Sequence, residues 1–296
     1  MHHAGHGSRR RSTPRRPLLG LGGALIALIV LNVLTAEVPA AATGAPASGR
    51  QPAHPWHDWM GSTVAAHEGR AATSGSAAGT AHTTTHVTQT PGFDASHWQG
   101  AINWGAAYAK GARFAYVKAT EGSTYRDPDF NANYTDSYYA GYIRGAYHFA
   151  IPNSSGGATQ AAWFVAHGGG WSRDGQTLPP MLDIEYNPYG AACYGLSQSA
   201  MRSWISAFVN AVHAETGRWA TIYTTTEWWT TCTGKSTAYA AHNPLFVARY
   251  GSSAGALPAG WPFYTFWQHA DSGVFPGDQD YFNGPLSGLQ HLADNT

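Results

Sequence analysis

Residues 179–187 read PPMLDIEYN: a proline pair, a short apolar run, Asp183, Ile184 and Glu185, then polar turn residues. The run is too short for a helix and reads as a buried strand. Side chains alternate faces along a strand, so Asp183 and Glu185 share one face while Leu182 and Ile184 turn to the other. Two carboxyls that close resist joint ionisation: one pKa rises, and that group can hold a proton near neutral pH while its neighbour stays anionic. The expectation gives that proton to Glu185. An acid and a carboxylate delivered from one strand end are the equipment of glycoside hydrolysis.

Outward from this strand, residues 91–296 alternate β-prone runs with helix-like stretches, the order that builds an α/β fold with a mainly parallel sheet. Strands are predicted over 92–96, 114–119, 143–150, 180–184, 221–224, 245–249 and 263–268, and helices over 106–110, 131–140, 159–167 and 199–215. In the last helix Met201, Ile205, Phe208, Val209 and Val212 recur at helical spacing behind the capping candidates Ser197 and Ser199. Helices thin out towards the C-terminus while strands continue, so an irregular barrel fits better than a regular eightfold one. The stretch YTTTEWWTTC at 223–232 is ambiguous, and Trp228 and Trp229 are expected not to face inward together.

The 17 basic and 17 acidic residues of the 296-residue chain are unevenly placed. Seven arginines precede residue 91, leaving ten basic against fourteen acidic residues beyond it. A mildly acidic domain argues against a nucleic-acid partner held through phosphates. Twelve Trp and sixteen Tyr suit an uncharged, sugar-like ligand. Residues 1–42 carry an arginine cluster, the apolar run LLGLGGALIALIVLNVL and small residues up to Ala42, the order of an export signal, with a retained anchor as the alternative. Arg15 and Arg16 ahead of the apolar run leave twin-arginine export open. Residues 43–90 are rich in Ala, Gly, Ser, Thr and His and read as a flexible, exposed linker. The cluster Trp56, His57, Asp58 and Trp59 is denser, but the sequence names no surface for it to pack on. The linker histidines lack metal-ligand spacing, so no metal is expected. Cys193 and Cys232 are the only cysteines, and in an exported domain a single disulfide is their natural reading.

Polar groups recur at predicted strand ends: Asp94, Lys118 with Glu121, His148, and the Asp183–Glu185 pair. In barrels of parallel strands such ends deliver side chains into one bowl. Trp98, Trp267 and Tyr250 stand beside strand ends and are candidates to stack on sugar faces, while Trp163, Trp204 and Trp219 read as core.

In order along residues 91–285, FDASHWQG, FAYVKATEG, YRDPDF, NYTDSYYAG, IRGAYHFA, LDIEYNP, IYTT, FWQHADSG and DQDYFNG resemble a glycoside hydrolase family 25 lysozyme. The resemblance implies a TIM-like barrel of five β/α units followed by extra β-strands. It also implies cleavage of the β-1,4 bond between N-acetylmuramic acid and N-acetylglucosamine. The likeness is to the secreted bacterial branch, whose cysteine pair falls where Cys193 and Cys232 do. Carried over by position, Glu185 matches the general acid, Asp183 the second carboxylate, and Asp94 and Asp280 two further active-site aspartates. Asp278 competes with Asp280 because DQDYFNG is shorter than the branch pattern; the reading takes Asp280. Tyr147 and Tyr223 match family tyrosines that hydrogen-bond substrate or carboxylates.

The Asp-x-Glu motif further implies a route in which the substrate's acetamido group attacks and Asp183 orients it. The expected partner is the peptidoglycan glycan strand, with no cofactor, no nucleic acid, no membrane after signal cleavage, and action as a secreted monomer. The competing readings are a peptidoglycan-binding barrel that has lost hydrolysis and a chitinase-like hydrolase.

Overall fold

The computed structural model describes residues 58–70 and 88–296; the export signal expected over 1–42 lies outside them. Among the described residues nine strands form one sheet: β1 (Thr90–Ala95), β2 (Phe114–Glu121), β3 (Tyr125–Arg126), β4 (Ile143–Phe149), β5 (Met181–Asp183), β6 (Thr221–Thr224), β7 (Leu245–Ala248), β8 (Phe266–Ala270) and β9 (Asp278–Phe282). The pairing β1–β2 closes eight of them into a barrel, with β3 a short hairpin partner of β2 outside the ring. Seven ring strands run parallel; β9 is antiparallel to both β8 and β1. A parallel neighbour needs a crossover, and helices supply it five times. These are α2 (Trp104–Ala109), α3 (Phe130–Tyr139), α4 (Gly157–Ala166), α5 (Gln198–Thr216) and α6 (Thr226–Thr233). No helix lies between β7, β8 and β9, and α7 (Leu286–Asp294) follows the last strand. The five β/α units and the trailing strands match the expected architecture.

The strands sort their side chains by parity. Phe114, Tyr116, Met181, Tyr223, Phe246 and Phe266 fill the barrel interior, while Ala115, Val117, Leu182, Ile184, Ile222 and Val247 join the layer under the helices. Large inner rings require small neighbours: a Cβ at Gly145 would lie 2.3 Å from the Tyr116 ring. Helix α5 buries the predicted stripe together with Trp204, starts on a Ser197 cap to the Ala200 amide at 3.2 Å, and stops at Gly217 in the left-handed region at φ 71°.

Two expectations need correction. The segment 223–232 divides into β6 and α6, with Thr225 capping the Trp228 amide at 3.0 Å, so Trp228 and Trp229 are both fully buried. Successive residues on a helix diverge by about 100°, not 180°, and both indoles can face the protein. Trp228 donates to the Ala192 carbonyl and Trp229 to that of Ser236. The stretch 43–90 is not uniformly an exposed linker either. Residues 58–70 pack on the barrel, with a short helix α1 (Val64–Glu68) and fully buried Met60 and Val64 in the interior cluster.

The disulfide Cys193–Cys232 ties the loop after β5 to α6, with Cα atoms 5.3 Å apart across 39 residues of sequence. Closing a loop of that length stabilises a fold by about 3–4 kcal/mol in the chain-entropy model. A Cys193→Ala/Cys232→Ala variant is therefore expected to melt about 10 °C lower, read by thermal unfolding with and without reductant. An unchanged midpoint would refute a stabilising role.

Candidate active site

The C-terminal ends of β1 and β5 and the first residues of the antiparallel β9 bring five carboxyls into the upper barrel interior. Asp183 closes β5, and Glu185 follows one parity step beyond it; each is 1% exposed. Leu182 and Ile184 lie in the outer layer, so the alternation read from PPMLDIEYN holds in three dimensions. Asp94, near the end of β1, is opposite Asp278 in the antiparallel pairing, and Asp280 is opposite Gly92, one step deeper. Gln268 of β8, absent from the sequence-based candidates, joins these groups. Its amide nitrogen donates to Asp94 Oδ2 at 2.9 Å and Asp278 Oδ2 at 3.1 Å, while its oxygen accepts from the Tyr223 hydroxyl at 2.7 Å and the Tyr250 hydroxyl at 3.2 Å.

Asp278 borders a groove at the mouth. Asp280 is fully buried, and among the described residues neither of its oxygens meets a donor. Of the two competing aspartates, Asp278 stands nearer the mouth than the favoured Asp280: β9 runs antiparallel, so its first residues stand at the end where the other strands finish. Tyr147, Tyr223 and Tyr250 are buried in the interior cluster beside the carboxyls. Burial, and then nearby carboxylate charge, raises all three phenols well above their ordinary value. They remain protonated donors.

Two expected site residues face elsewhere. His148 points outward on β4 between Thr120 at 2.8 Å and Gln160 at 3.0 Å, and burial lowers its pKa to about 3, so it is a neutral core group. Trp267 has the wrong parity for the interior. It donates to the Arg249 carbonyl at 2.8 Å and packs in the outer layer, unable to stack on a sugar held by the acids. Trp98 lies in the turn after β1, with its indole nitrogen 2.5 Å from Asp58 Oδ1 and its ring 5.6 Å from that of Trp59. Lys118 is buried against Glu121 at 2.7 Å and accompanied by Asp58, whose carboxylate lies at 3.4 Å and whose main-chain carbonyl also accepts from it.

Burial pushes Glu185 from its ordinary 4.5 to about 7, opposed by hydrogen bonds from the Gly61 amide at 2.7 Å and the Thr63 hydroxyl at 2.8 Å. Burial lifts Asp94 from 3.8 to about 8, with the Gln268 amide opposing and the charge on Glu185 adding. Asp183, Asp278 and Asp280 are raised well above 3.8, again chiefly by burial and then by neighbouring carboxylates. In this closed arrangement the two donors, which the sequence did not foresee, favour the anion at Glu185, whereas neither Asp183 oxygen has a hydrogen-bond partner among the described residues.

Residues 93–278 match the family described as glycosyl hydrolases family 25. The chain belongs to that family. Among family 25 relatives, Lysozyme M1 of Streptomyces globisporus is 46% identical over 290 residues, covering 95% of this chain and 96% of that protein. The N,O-diacetylmuramidase of Chalaropsis sp is 47% identical over 206 residues, covering 68% of this chain and 98% of that one. The crystal structure of the bacterial lysozyme from Streptomyces coelicolor superposes with a TM-score of 0.69 at 52% identity, covering 71% of this chain and 99% of that chain. The family 25 chain is thus a glycoside hydrolase with a TIM-like fold.

The raised carboxyls make stability depend on pH. Between the ordinary values of 3.8 and 4.5 and the folded values of about 8 for Asp94 and about 7 for Glu185, the folded protein binds protons that the unfolded chain has released. Stability must then fall as pH rises through that window. The melting midpoint is expected to drop between about pH 5 and about pH 8, less steeply in Asp94→Asn. A midpoint that rises across the window would contradict the buried-acid assignment.

Proposed function

We propose that the chain is a peptidoglycan N-acetylmuramidase, hydrolysing the β-1,4 bond between N-acetylmuramic acid and N-acetylglucosamine in bacterial wall glycan. The observation that carries this reading is the end of β5, where Asp183 and Glu185 share the inner face of a barrel mouth. Relatives whose names are lysozyme and muramidase fit the same chemistry. We place its work outside the cell, as the expected export signal and the Cys193–Cys232 bond favour.

Glu185 is the general acid. With the Gly61 and Thr63 donors gone, a carboxyl raised by burial can take up a proton near neutrality and still surrender it to a leaving oxygen, the compromise general acid catalysis requires. Once the mouth opens to solvent and burial no longer holds their protons, Asp183, one parity step deeper, and Asp94 provide negative charge against the oxocarbenium-like transition state. Tyr147, Tyr223 and Tyr250, held as phenols, supply hydroxyls to the sugar. Asp278 is the last active-site carboxylate, sharing the Gln268 amide with Asp94, while Asp280 is a neutral acid beneath them.

Purified peptidoglycan, digested, reduced with borohydride and analysed by mass, is expected to carry reduced muramic acid at the new ends. Glu185→Gln should slow their release by at least about a hundredfold. Reduced glucosamine at those ends would refute the bond assignment, and undiminished release would refute the acid. In the same assay Asp278→Asn is expected to lose most activity and Asp280→Asn little. The opposite ranking would return Asp280 to the site.

A further inference from the structure

Residues 58–70 lie across the carboxyls and phenols at the barrel mouth. The two hydrogen bonds that reach Glu185, from the Gly61 amide and the Thr63 hydroxyl, occupy both of its carboxyl oxygens, the atoms that have to meet the glycosidic oxygen. The Met60 amide donates to the Tyr147 hydroxyl at 3.3 Å, and the Gly61 carbonyl accepts from Tyr250 at 2.9 Å. Asp58 engages Lys118 and Trp98 on one flank. On the other, Glu68 accepts from the Tyr186 hydroxyl at 2.8 Å, and the His67 ring stacks on Tyr186 at 4.0 Å. Arg70 pairs with Asp271 at the exit. Gly61, at φ 82°, is the point of closest approach: a Cβ there would lie 2.4 Å from Gln268 Oε1 and 2.7 Å from the Tyr250 hydroxyl.

Two grooves border the mouth, and each takes one wall from this segment, Trp59 in the first and Glu68 in the second. An extended polysaccharide needs open ground across the acids. Here the chain itself stands between the two hollows.

We propose that residues 58–70 are an autoinhibitory segment that occupies the catalytic cleft and withholds Glu185 from substrate until displaced. The proposal rests on the reading of Glu185 as the general acid. It makes two separable statements, that the segment covers the carboxyls and that the cover restrains hydrolysis. The inhibition is chemical as well as steric, because an N–H can only donate: with Gly61 and Thr63 in place the acid is held as an acceptor. Covalent attachment keeps the segment at high effective concentration beside its site, so a free glycan competes poorly.

The test uses the full chain. In Met60→Asp/Val64→Asp, two buried apolar contacts become charges beside a cluster of carboxyls, which should expel the segment while leaving every barrel residue unchanged. Gly61→Val, barred by the close approach at that residue, is the second variant if the first does not fold. Labelling of carboxyls by carbodiimide and a glycine ester, followed by peptide mass analysis, reads the cover; hydrolysis of purified peptidoglycan reads the restraint.

The expectation is that Glu185 labels in the variant but not in the parent chain, and that the variant hydrolyses wall at least about tenfold faster, the gain when one open molecule in ten becomes all open. Equal labelling of Glu185 in the two proteins overturns the proposal, as do equal, measurable rates of hydrolysis despite new labelling. New labelling with no hydrolysis by either protein upholds the cover and sinks the muramidase reading instead.

Discussion

Five carboxyls crowd the inner mouth of one barrel, largely shut away from water. An isolated anion there would be very costly, so the groups share protons, draw on the charge of Lys118, or accept from Gln268. Much of the neighbouring structure answers to this constraint. The three phenols offer hydroxyls without adding charge, and the Gln268 amide bridges two aspartates that would otherwise repel.

The N-terminal segment meets the same constraint from outside. Its main chain and one hydroxyl give Glu185 the donors that a carboxylate removed from solvent lacks, while Met60 and Val64 extend the apolar interior upward. In thermodynamic terms it behaves as a tethered ligand that prefers the folded barrel and the ionised acid. Groups that would act on a sugar are thereby satisfied within the protein.

The fold was largely legible because parity is physical: in PPMLDIEYN the alternation of Leu182, Asp183, Ile184 and Glu185 could be read directly as inner and outer faces. The same rule, applied more strictly, would have excluded His148 beside inward Tyr147. It would also have set Gln268, rather than Trp267, into the interior beside inward Phe266. Helix α6 was hidden by its threonines and paired tryptophans, which read as strand until Thr225 is recognised as a cap. Strand β9 was hidden by polarity, since Asp278 and Asp280 face an interior that is itself polar. Residues 58–70 were masked by a small-residue setting, with only the Trp56–Trp59 density and the apolar Met60 and Val64 as signals. Where such a segment docks depends on contacts more than a hundred residues away, and local sequence carries no record of them.

The ring closes through β9, which lies between β8 and β1. Made from its amino end, the chain therefore offers β1 with one edge unpaired until the segment ending at Phe282 arrives to complete the circle. Contacts of that sequence separation form late and slowly. A nascent protein of this topology spends its synthesis with an open sheet, and whatever keeps it from sticking to itself has to act before the final strand is in hand.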